Sequence, residues 1–144
     1  MKHLFIFITS FLISASLFAA DTSPPVAVDK EMQTAKAQIA KKDWTAAVAT
    51  LEPYTKANAK SADGFNLLGY SYRNLKRYDE SLVAYKQALT LDPKHRGAHE
   101  YIGIAYIQMG QPAKAREHLA ALDKICGQRC EEYRDLKKAL EAVK

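Results

Sequence analysis

Two consecutive segments of the chain, residues 62–95 and 96–129, repeat the same spacing of apolar and small residues at an offset of 34 positions. In the first segment, apolar side chains recur at intervals of three, four and seven, which places them on one face of a helix. These side chains are Tyr72, Leu75, Leu82, Tyr85 and Leu89. Asp92-Pro93 closes the segment, because the residue before a proline avoids the α region and proline lacks an amide donor. The pattern predicts a pair of packed helices in each segment.

Two glycines occupy equivalent positions in the middle of predicted helices, Gly69 and Gly103. Glycine inside a helix costs about 0.5 to 1 kcal/mol relative to alanine, so its use there indicates a neighbouring helix that lies too close for a Cβ atom. Ser81 and Ala115 are the small residues at matching places on the second helix of each pair. We therefore expect the two helices of each pair to cross at this glycine.

These positions fit the tetratricopeptide repeat pattern, W-x2-L-G-x2-Y followed by A-x3-F and a proline. The matching residues are Phe65, Leu68, Gly69, Tyr72, Ser81, Tyr85 and Pro93, and in the next segment Ile102, Gly103, Tyr106, Ala115 and Leu119. The chain thus resembles the tetratricopeptide repeat family over roughly residues 62–129. The resemblance implies an all-α fold, a right-handed superhelix of about three helical hairpins with a C-terminal capping helix. A chance match by an ordinary helical hairpin is the alternative, and the second copy in register disfavours it.

The amino-terminal residues have the pattern of a secretory signal peptide. Met1-Lys2-His3 precedes an apolar run over residues 4–18 that ends at Ala19-Ala20, so residues 1–20 are the predicted signal. The run is shorter than the roughly 20 residues that cross a bilayer. We expect cleavage, a periplasmic protein and no stable membrane insertion afterwards. An N-terminal anchor that leaves the protein facing the periplasm is the alternative.

Residues 21–61 are predicted to form a linker and a degenerate first repeat. Residues 21–28 include Pro24-Pro25 and small polar residues, which favour a flexible linker. Residues 29–61 then follow the repeat loosely, with a first helix over about residues 29–40 and a second that begins at its cap, Asp43, and runs to about Tyr54. Pro53 is expected to kink or end the second helix. A terminal repeat that departs from the pattern is usual in such arrays.

The carboxyl-terminal third is predicted to hold one more hairpin and a cap. Within residues 96–129, helices over residues 97–109 and 112–125 are separated by Gly110, which ends the first, and Pro112, which starts the second. Residues 130–144 then place Tyr133, Leu136, Leu140 and Val143 at helical spacing. Such a helix can cover the apolar face that the last repeat leaves open.

The chain has two cysteines, Cys126 and Cys130, at the join between the last hairpin and the cap. In an exported protein a disulfide is the first interpretation, and a loop this small gains about 2 kcal/mol by chain entropy. Free thiols are a second interpretation. Metal or redox handling is a third, although the spacing is not C-x-x-C and two ligands are too few for a structural zinc site.

Composition and motifs favour a protein without catalytic activity. The formal net charge of +5 is spread over alternating acids and bases, without the basic block that nucleic-acid binding requires. The sequence has no glycine-rich phosphate loop and no G-x-S-x-G motif. His95 and His99 could ligate a metal from one helix face, but His99 holds the packing position of Phe65, and His118 has no evident partner in the sequence. We predict no enzyme, no cofactor, no metal site and no nucleic-acid partner.

The resemblance also implies a binding groove. In tetratricopeptide arrays the first helix of each hairpin lines a concave channel, and five positions of each repeat face the ligand. Transferred to this sequence, they are Asp63, Asn66, Tyr70, Arg73 and Asn74, then Gly97, Glu100, Ile104, Ile107 and Gln108, with Met32 and Lys36 as contributors from the degenerate repeat. The amides could bond a peptide backbone, Arg73 an acidic group, and Tyr70 with Ile104 an apolar side chain.

One specialised form of the groove does not fit this sequence. The carboxylate clamp, which holds the acidic carboxyl terminus of chaperones, would need basic residues and asparagines at five places. Those places hold Met32, Lys36, Leu67, Gly97 and Tyr101, with one cation among them. The sequence therefore predicts a non-catalytic protein–protein interaction module, a periplasmic adaptor or assembly factor that binds a peptide or protein partner. The alternatives are a self-assembling structural module, which would be a homo-oligomer, and metal or redox handling through Cys126 and Cys130.

Overall fold

The computed structural model describes residues 27–143, which form seven α-helices and no strand. The helices are α1 (Ala27–Ala40), α2 (Trp44–Ala57), α3 (Ala62–Asn74), α4 (Tyr78–Leu91), α5 (Arg96–Gln108), α6 (Pro112–Cys126) and α7 (Glu131–Glu141). They pack as three hairpins, α1–α2, α3–α4 and α5–α6, and α7 lies against both α5 and α6. The first helices of successive hairpins contact one another, and within residues 27–143 the second helices do not. The predicted all-α repeat superhelix is confirmed. The predicted signal peptide, residues 1–20, lies outside the described residues.

The helix ends are set by local capping interactions. Asp43 caps α2, its Oδ1 accepting from the Ala46 amide at 3.1 Å, as the sequence predicted. Ser61 caps α3 in the same way through the Gly64 amide at 3.1 Å. Gly110 follows α5 with a φ of 72°, a left-handed conformation that favours glycine, and Pro112 is the first residue of α6.

Two predicted helix boundaries in the first repeat were wrong. Helix α1 begins at Ala27, inside the segment predicted as a linker. Helix α2 continues past Pro53 to Ala57, because Tyr54 and Thr55 are buried and the Thr55 hydroxyl donates to the Leu51 carbonyl at 2.9 Å. Burial of these two side chains outweighs the loss of one backbone hydrogen bond at the proline. The degenerate repeat therefore has two full helices.

The mid-helix glycine of the central repeat lies at a close helix crossing, as predicted. A Cβ atom on Gly69 would lie 2.6 Å from the ring of Tyr85 on α4. The hydroxyl of Ser81, the small residue opposite, donates to the Gly69 carbonyl at 2.8 Å. The α3–α4 contact thus needs both a missing Cβ and a short polar side chain.

Gly103 lies at a different crossing from the predicted one. A Cβ atom there would lie 2.5 Å from Leu136 of α7, rather than against a residue of α6. The position equivalent to Tyr85 holds Leu119 in this repeat, and its side chain has no ring that could cover Gly103. Leu136 of α7 fills the space beside the glycine instead. The capping helix therefore packs as the first helix of a further repeat would.

The buried core runs the length of the stack in three adjoining clusters. Met32, Leu51 and Leu68 belong to the first cluster, on α1 to α4, and Tyr85 with Ile102 joins α4 to α5. The third cluster joins α6 to α7 and contains Leu122, Tyr133, Leu136 and Leu140. Val143, predicted on the buried face of the cap, lies beyond the end of α7 and is 51% exposed. None of the helices within residues 27–143 is long and apolar enough to cross a membrane.

Candidate functional site

The first helices α1, α3, α5 and α7 form one face of the stack, the inner face, and its centre is aromatic. The ring of Tyr70 on α3 lies 4.9 Å from that of Tyr101 on α5 and 5.6 Å from that of Trp44 at the start of α2. The Arg73 guanidinium stands 5.1 Å from the Tyr70 ring centroid and 5.7 Å from that of Tyr101. Arg73 and Tyr70 are nearly one turn apart on α3, so both project towards α5. The result is a cation–π cluster between two first helices.

The predicted amide residues of α3 are used in two different ways. Asn74 is exposed, and its Nδ2 donates to the Tyr70 carbonyl at 2.8 Å. Asn66 is only 7% exposed, and its Nδ2 lies 3.3 Å from the place that a Cβ atom on Gly97 would occupy. The Oδ1 atom of Asn66 is buried and has no hydrogen-bond partner among the described residues. Asn74 therefore faces solvent, whereas Asn66 faces the junction of α3 and α5.

Asp63 is joined to the cap of the next hairpin. The Nδ1 atom of His95 accepts from the Ala98 amide at 3.1 Å, so the ring proton of a neutral imidazole lies on Nε2. That nitrogen lies 3.0 Å from Asp63 Oδ1 and donates to it. His95 thus connects the starts of α3 and α5.

Glu100 lies on the acidic side of the inner face. Burial raises the pKa of its carboxyl to about 7, and the nearby carboxylates of Asp135 and Glu132 on α7 act in the same direction, whereas Arg73 lowers it. The Oε1 atom of Glu132 lies 3.5 Å from Arg96 Nε. Its other oxygen, Oε2, is buried without a hydrogen-bond partner among the described residues. Helix α7 therefore adds negative charge beside α5 as well as covering the core.

The other predicted groove residues divide between the core and the surface. Ile104 and Ile107 are partly buried against the core beneath α7. Met32 is buried in the first core cluster, while Lys36 and Gln108 are exposed. The structure thus places Asn66, Tyr70, Arg73 and Glu100 on the two first helices α3 and α5, and it packs the two isoleucines of α5 partly against the core.

Sequence reasoning missed four residues of this surface: Trp44, Tyr101, Glu132 and Asp135. Trp44 begins α2 and holds the same repeat position as Tyr78 at the start of α4. That position did not indicate that the Trp44 ring contacts the ring of Tyr70. Tyr101 occupies one of the places that hold the ligand in the carboxylate clamp, and this position was the available signal. The acidic residues of α7 could be placed only once α7 was known to pack on α5.

The histidines do not form the metal pair that their spacing allowed. His99 Nε2 donates to the Pro93 carbonyl at 3.1 Å, and its Nδ1 lies 3.0 Å from His118 Nδ1. Burial lowers the pKa of His118 to about 4, and His99 acts in the same direction. The sequence had indicated no partner for His118, and this prediction was wrong. The partner is His99, 19 positions earlier on α5. His95, four positions before His99, is bonded elsewhere.

The two cysteines lie side by side at the start of α7. Their Sγ atoms are in contact and their Cα atoms are 5.9 Å apart. Together with the Glu132 carboxylate they are the one group of three potential metal ligands found close together within residues 27–143, with all ligand atoms inside 4.8 Å. A bond between the sulfurs would remove both thiolates from such a set.

A separate crevice opens between α3 and α4, away from the aromatic cluster. It is a cavity of about 520 Å³ with apolar walls that include Phe65, Leu68, Tyr72 and Ala84. Val83 stands at this crevice with 71% of its side chain exposed. It is a second surface at which a partner could bind, and Val83 gives a variant that tests it separately.

Comparisons with known proteins agree with the fold. Residues 62–95 match a family model described as tetratricopeptide repeat. The comparison with curated protein sequences gives no match. Among similar solved structures, the TPR2B domain of yeast Sti1 in a complex with pHsp70 is 19% identical, with a TM-score of 0.74 over 81% of this chain and 94% of that one. The Yersinia enterocolitica type III secretion chaperone SycD, in complex with a peptide of the translocator YopD, is 17% identical, with a TM-score of 0.71 over 81% and 91%. A mutant of MamA is 26% identical, with a TM-score of 0.64 over 71% and 74%.

Proposed function

We propose, because this chain belongs to the tetratricopeptide repeat family, that it is a non-catalytic interaction module that binds a peptide or a partner protein along its inner face. The observation that carries the proposal is the cluster of Tyr70, Arg73 and Tyr101 on that face. Tyrosine and arginine are the residue types enriched among the side chains that dominate binding energy at protein interfaces. Here they are already held in place by stacking, so binding would cost little side-chain entropy.

The geometry beside this cluster suits an extended guest. The exposed amide of Asn74 lies next to Tyr70, and the exposed amide of Gln108 lies at the end of α5. Each amide can donate to and accept from a peptide backbone. Two of the similar structures carry a bound partner in their descriptions, a peptide of YopD for SycD and pHsp70 for Sti1. These ligands belong to those proteins, and they support a bound polypeptide as the class of ligand for this chain.

Replacing Tyr70, Arg73 and Asn74 together by alanine is expected to reduce recovery of the partner at least about tenfold in a crosslinking pull-down from the producing cells, because hot-spot side chains cost about 2 kcal/mol or more each. Tyr70 packs between Trp44 and Tyr101, so the variant should also melt at a lower temperature. Recovery is therefore compared well below its melting point, with helical content checked by circular dichroism.

Val83→Ser at the crevice between α3 and α4 is the matched control, since Val83 is exposed and this crevice shares no residue with the aromatic cluster. It should leave partner recovery unchanged. If Val83→Ser abolishes recovery while the triple variant retains it, the partner binds this crevice and the inner-face assignment is wrong.

We further propose that the protein is exported to the periplasm, that residues 1–20 are removed, and that Cys126 and Cys130 form a disulfide. The contact between the two Sγ atoms supports the last point. The intact mass of the chain from a periplasmic fraction should correspond to a start at Asp21 and to the loss of two thiol hydrogens, with no alkylation before reduction. A chain that keeps its first 20 residues in the membrane fraction would support the anchored alternative, and alkylation without reductant would exclude the disulfide.

A further inference from the structure

We propose that two copies of this chain pair through α4, antiparallel and about a two-fold axis at Val83, so that each copy covers the apolar crevice of the other. The inference concerns the face of α4 that carries Val83, and it does not depend on the guest proposed for the inner face. It follows from an open apolar crevice, from an exposed valine at its edge and from the order of charges along α4.

The walls of the crevice favour an apolar occupant. Phe65, Leu68 and Tyr72 are three and four positions apart, so they form one face of α3, and Val83 with Ala84 of α4 stands beside them. The space between them is a cavity of about 520 Å³. Within residues 27–143, no buried side-chain oxygen or nitrogen that lacks a hydrogen-bond partner lines this cavity. The crevice therefore presents apolar surface and no unsatisfied polar group to an occupant.

The polar groups at the edge of the crevice already have partners. The Tyr72 hydroxyl donates to the Glu52 carboxylate, and the Arg77 guanidinium stands 4.5 Å from the Tyr72 ring centroid. Arg77 in turn pairs with Glu80 at 2.7 Å. An apolar centre with a polar rim is the composition of protein–protein interfaces.

Val83 is the exposed apolar side chain beside this hollow. It is 71% exposed, and within residues 27–143 only one other large hydrophobic residue, Val143, is exposed. Exposed apolar surface next to an apolar hollow marks an interaction site. A surface that carries a projection and a hollow side by side can bind a copy of itself, because a two-fold axis places each projection over the hollow of the other copy.

The exposed residues of α4 form one stripe, along which the charge changes sign. They are Asp79, Glu80, Val83, Lys86 and Thr90, so acids precede the valine and a lysine follows it. The two acids lie in the first turn, where the helix dipole favours them, but Lys86 precedes the last turn and gains little from the dipole. Neither Asp79 nor Lys86 has an ion-pair partner within residues 27–143.

An antiparallel pair makes these charges complementary. In such a pair, residues equally far before and after Val83 meet across the axis. Glu80 of one copy therefore meets Lys86 of the partner copy, twice by symmetry, and Asp79 meets the amide of Gln87. A parallel pair would instead place the acids of both copies opposite one another. The order of charges thus selects a second copy of this chain, in one orientation.

The contact is small and leaves the inner face free. Helix α4 has 14 residues and is about 21 Å long. An interface with the length of one helix predicts a weak dimer, with a dissociation constant of about 10–100 μM. The residues that line the crevice do not include Tyr70, Arg73 or Tyr101, so the aromatic cluster stays open in the dimer.

The first test is sedimentation equilibrium of the mature chain from a few micromolar to several hundred micromolar, which should show a monomer–dimer equilibrium. Val83→Glu would bury an unpaired carboxylate at the axis and should weaken the dimer at least about tenfold. Val143→Glu, at the other exposed valine, should dimerise like the natural chain. Both variants should keep the melting temperature of the natural chain at a few micromolar, because both valines are exposed.

Charge reversal tests the orientation. Glu80→Lys and Lys86→Glu should each weaken the dimer about fivefold, since each places like charges across the axis at two symmetric positions. The double variant should recover the affinity of the natural chain. Residues six positions apart are not neighbours on one helix, so the recovery requires a second copy.

Cysteine crosslinking tests the position of the axis. The Cα atoms of a disulfide lie about 4.4–6.8 Å apart, a separation that the two copies of residue 83 can reach at the axis. Val83→Cys should therefore form a covalent dimer under mild oxidation. The two copies of Thr90, on the same exposed stripe, would lie about 21 Å apart along the helices, so Thr90→Cys should crosslink at least about tenfold more slowly.

A chain that is monomeric at every concentration, an unchanged dimer in Val83→Glu, no recovery in the double charge variant, or equal crosslinking of the two cysteine variants would overturn the inference. If the chain is monomeric and Val83→Glu lowers recovery of the natural partner, the crevice holds a different protein and the inference fails. The proposed function is decided separately, by whether recovery of the partner needs Tyr70, Arg73 and Asn74.

Discussion

Tyr85→Ala is expected to lower the free energy of unfolding by about 3–5 kcal/mol, the range for deleting a buried aromatic side chain. Tyr85 is fully buried, its ring fills the space that Gly69 leaves open, and it lies 6.3 Å from the ring of Tyr101. Removing the ring therefore creates a cavity between α3 and α4 and withdraws support from the aromatic cluster. Urea denaturation followed by circular dichroism at 222 nm, analysed with a common slope, measures the change.

Tyr85→Phe is the control for this prediction. The hydroxyl of Tyr85 is buried beside Arg73 and Ser81 and has no hydrogen-bond partner among the described residues. Burial raises its pKa, so the ring is uncharged at any ordinary pH. We expect Tyr85→Phe to change the free energy of unfolding by less than about 1 kcal/mol, because removing an unpartnered buried polar group costs little. A large loss of unfolding free energy in Tyr85→Phe would show that the hydroxyl, and not the ring, stabilises the contact between α3 and α4.

Leu136→Ala is expected to cost about 2–5 kcal/mol, the range for truncating a buried leucine. Leu136 is fully buried and packs over Gly103, where its side chain replaces the missing Cβ atom. The loss should appear first on α5 and α7, so amide hydrogen exchange by NMR should show that these helices lose protection before α1 and α2 do. Lys137→Ala, the exposed neighbour on α7, should leave both measurements unchanged.

A double-mutant cycle makes the prediction for Leu136 sharper. Gly103→Ala should destabilise the natural chain, because its Cβ atom would lie 2.5 Å from Leu136. In the Leu136→Ala background the same change should stabilise, since the space is empty and alanine is favoured over glycine in a helix by about 0.5 to 1 kcal/mol. If Gly103→Ala has the same sign in both backgrounds, α7 does not pack over Gly103 as described.

Helix α7 contributes both to the stability of the fold and to the charge of the inner face. Its apolar face covers the last hairpin through Tyr133, Leu136 and Leu140, and its acidic side brings Glu132 and Asp135 to Glu100. Cys130 caps this helix and contacts Cys126 at the end of α6. The proposed disulfide would therefore hold the acidic side of the inner face in position.

The sequence by itself determined the helices and their order, because helix formation depends on local features. Apolar residues at intervals of three and four, the Asp43 cap, and the Gly110 and Pro112 boundary can each be seen within a few residues of the chain. The repeat register of Gly69 can be seen by comparing segments 34 positions apart. The groove residues predicted on α3 rest instead on the family resemblance, which transfers them by position in the repeat. The single proline that was misjudged, Pro53, is one at which burial of distant side chains decided the outcome.

Only the tertiary structure decided which helix fills each space and which side chains meet. The packing of Leu136 over Gly103, the contact of His99 with His118, and the meeting of Tyr101 with Tyr70 each join residues on different helices. Such contacts depend on the sizes of all the side chains at a crossing, and helical periodicity carries no information about them. The charge around Glu100 is of the same kind, since it arises from α7 packing on α5 and from the burial that this packing causes.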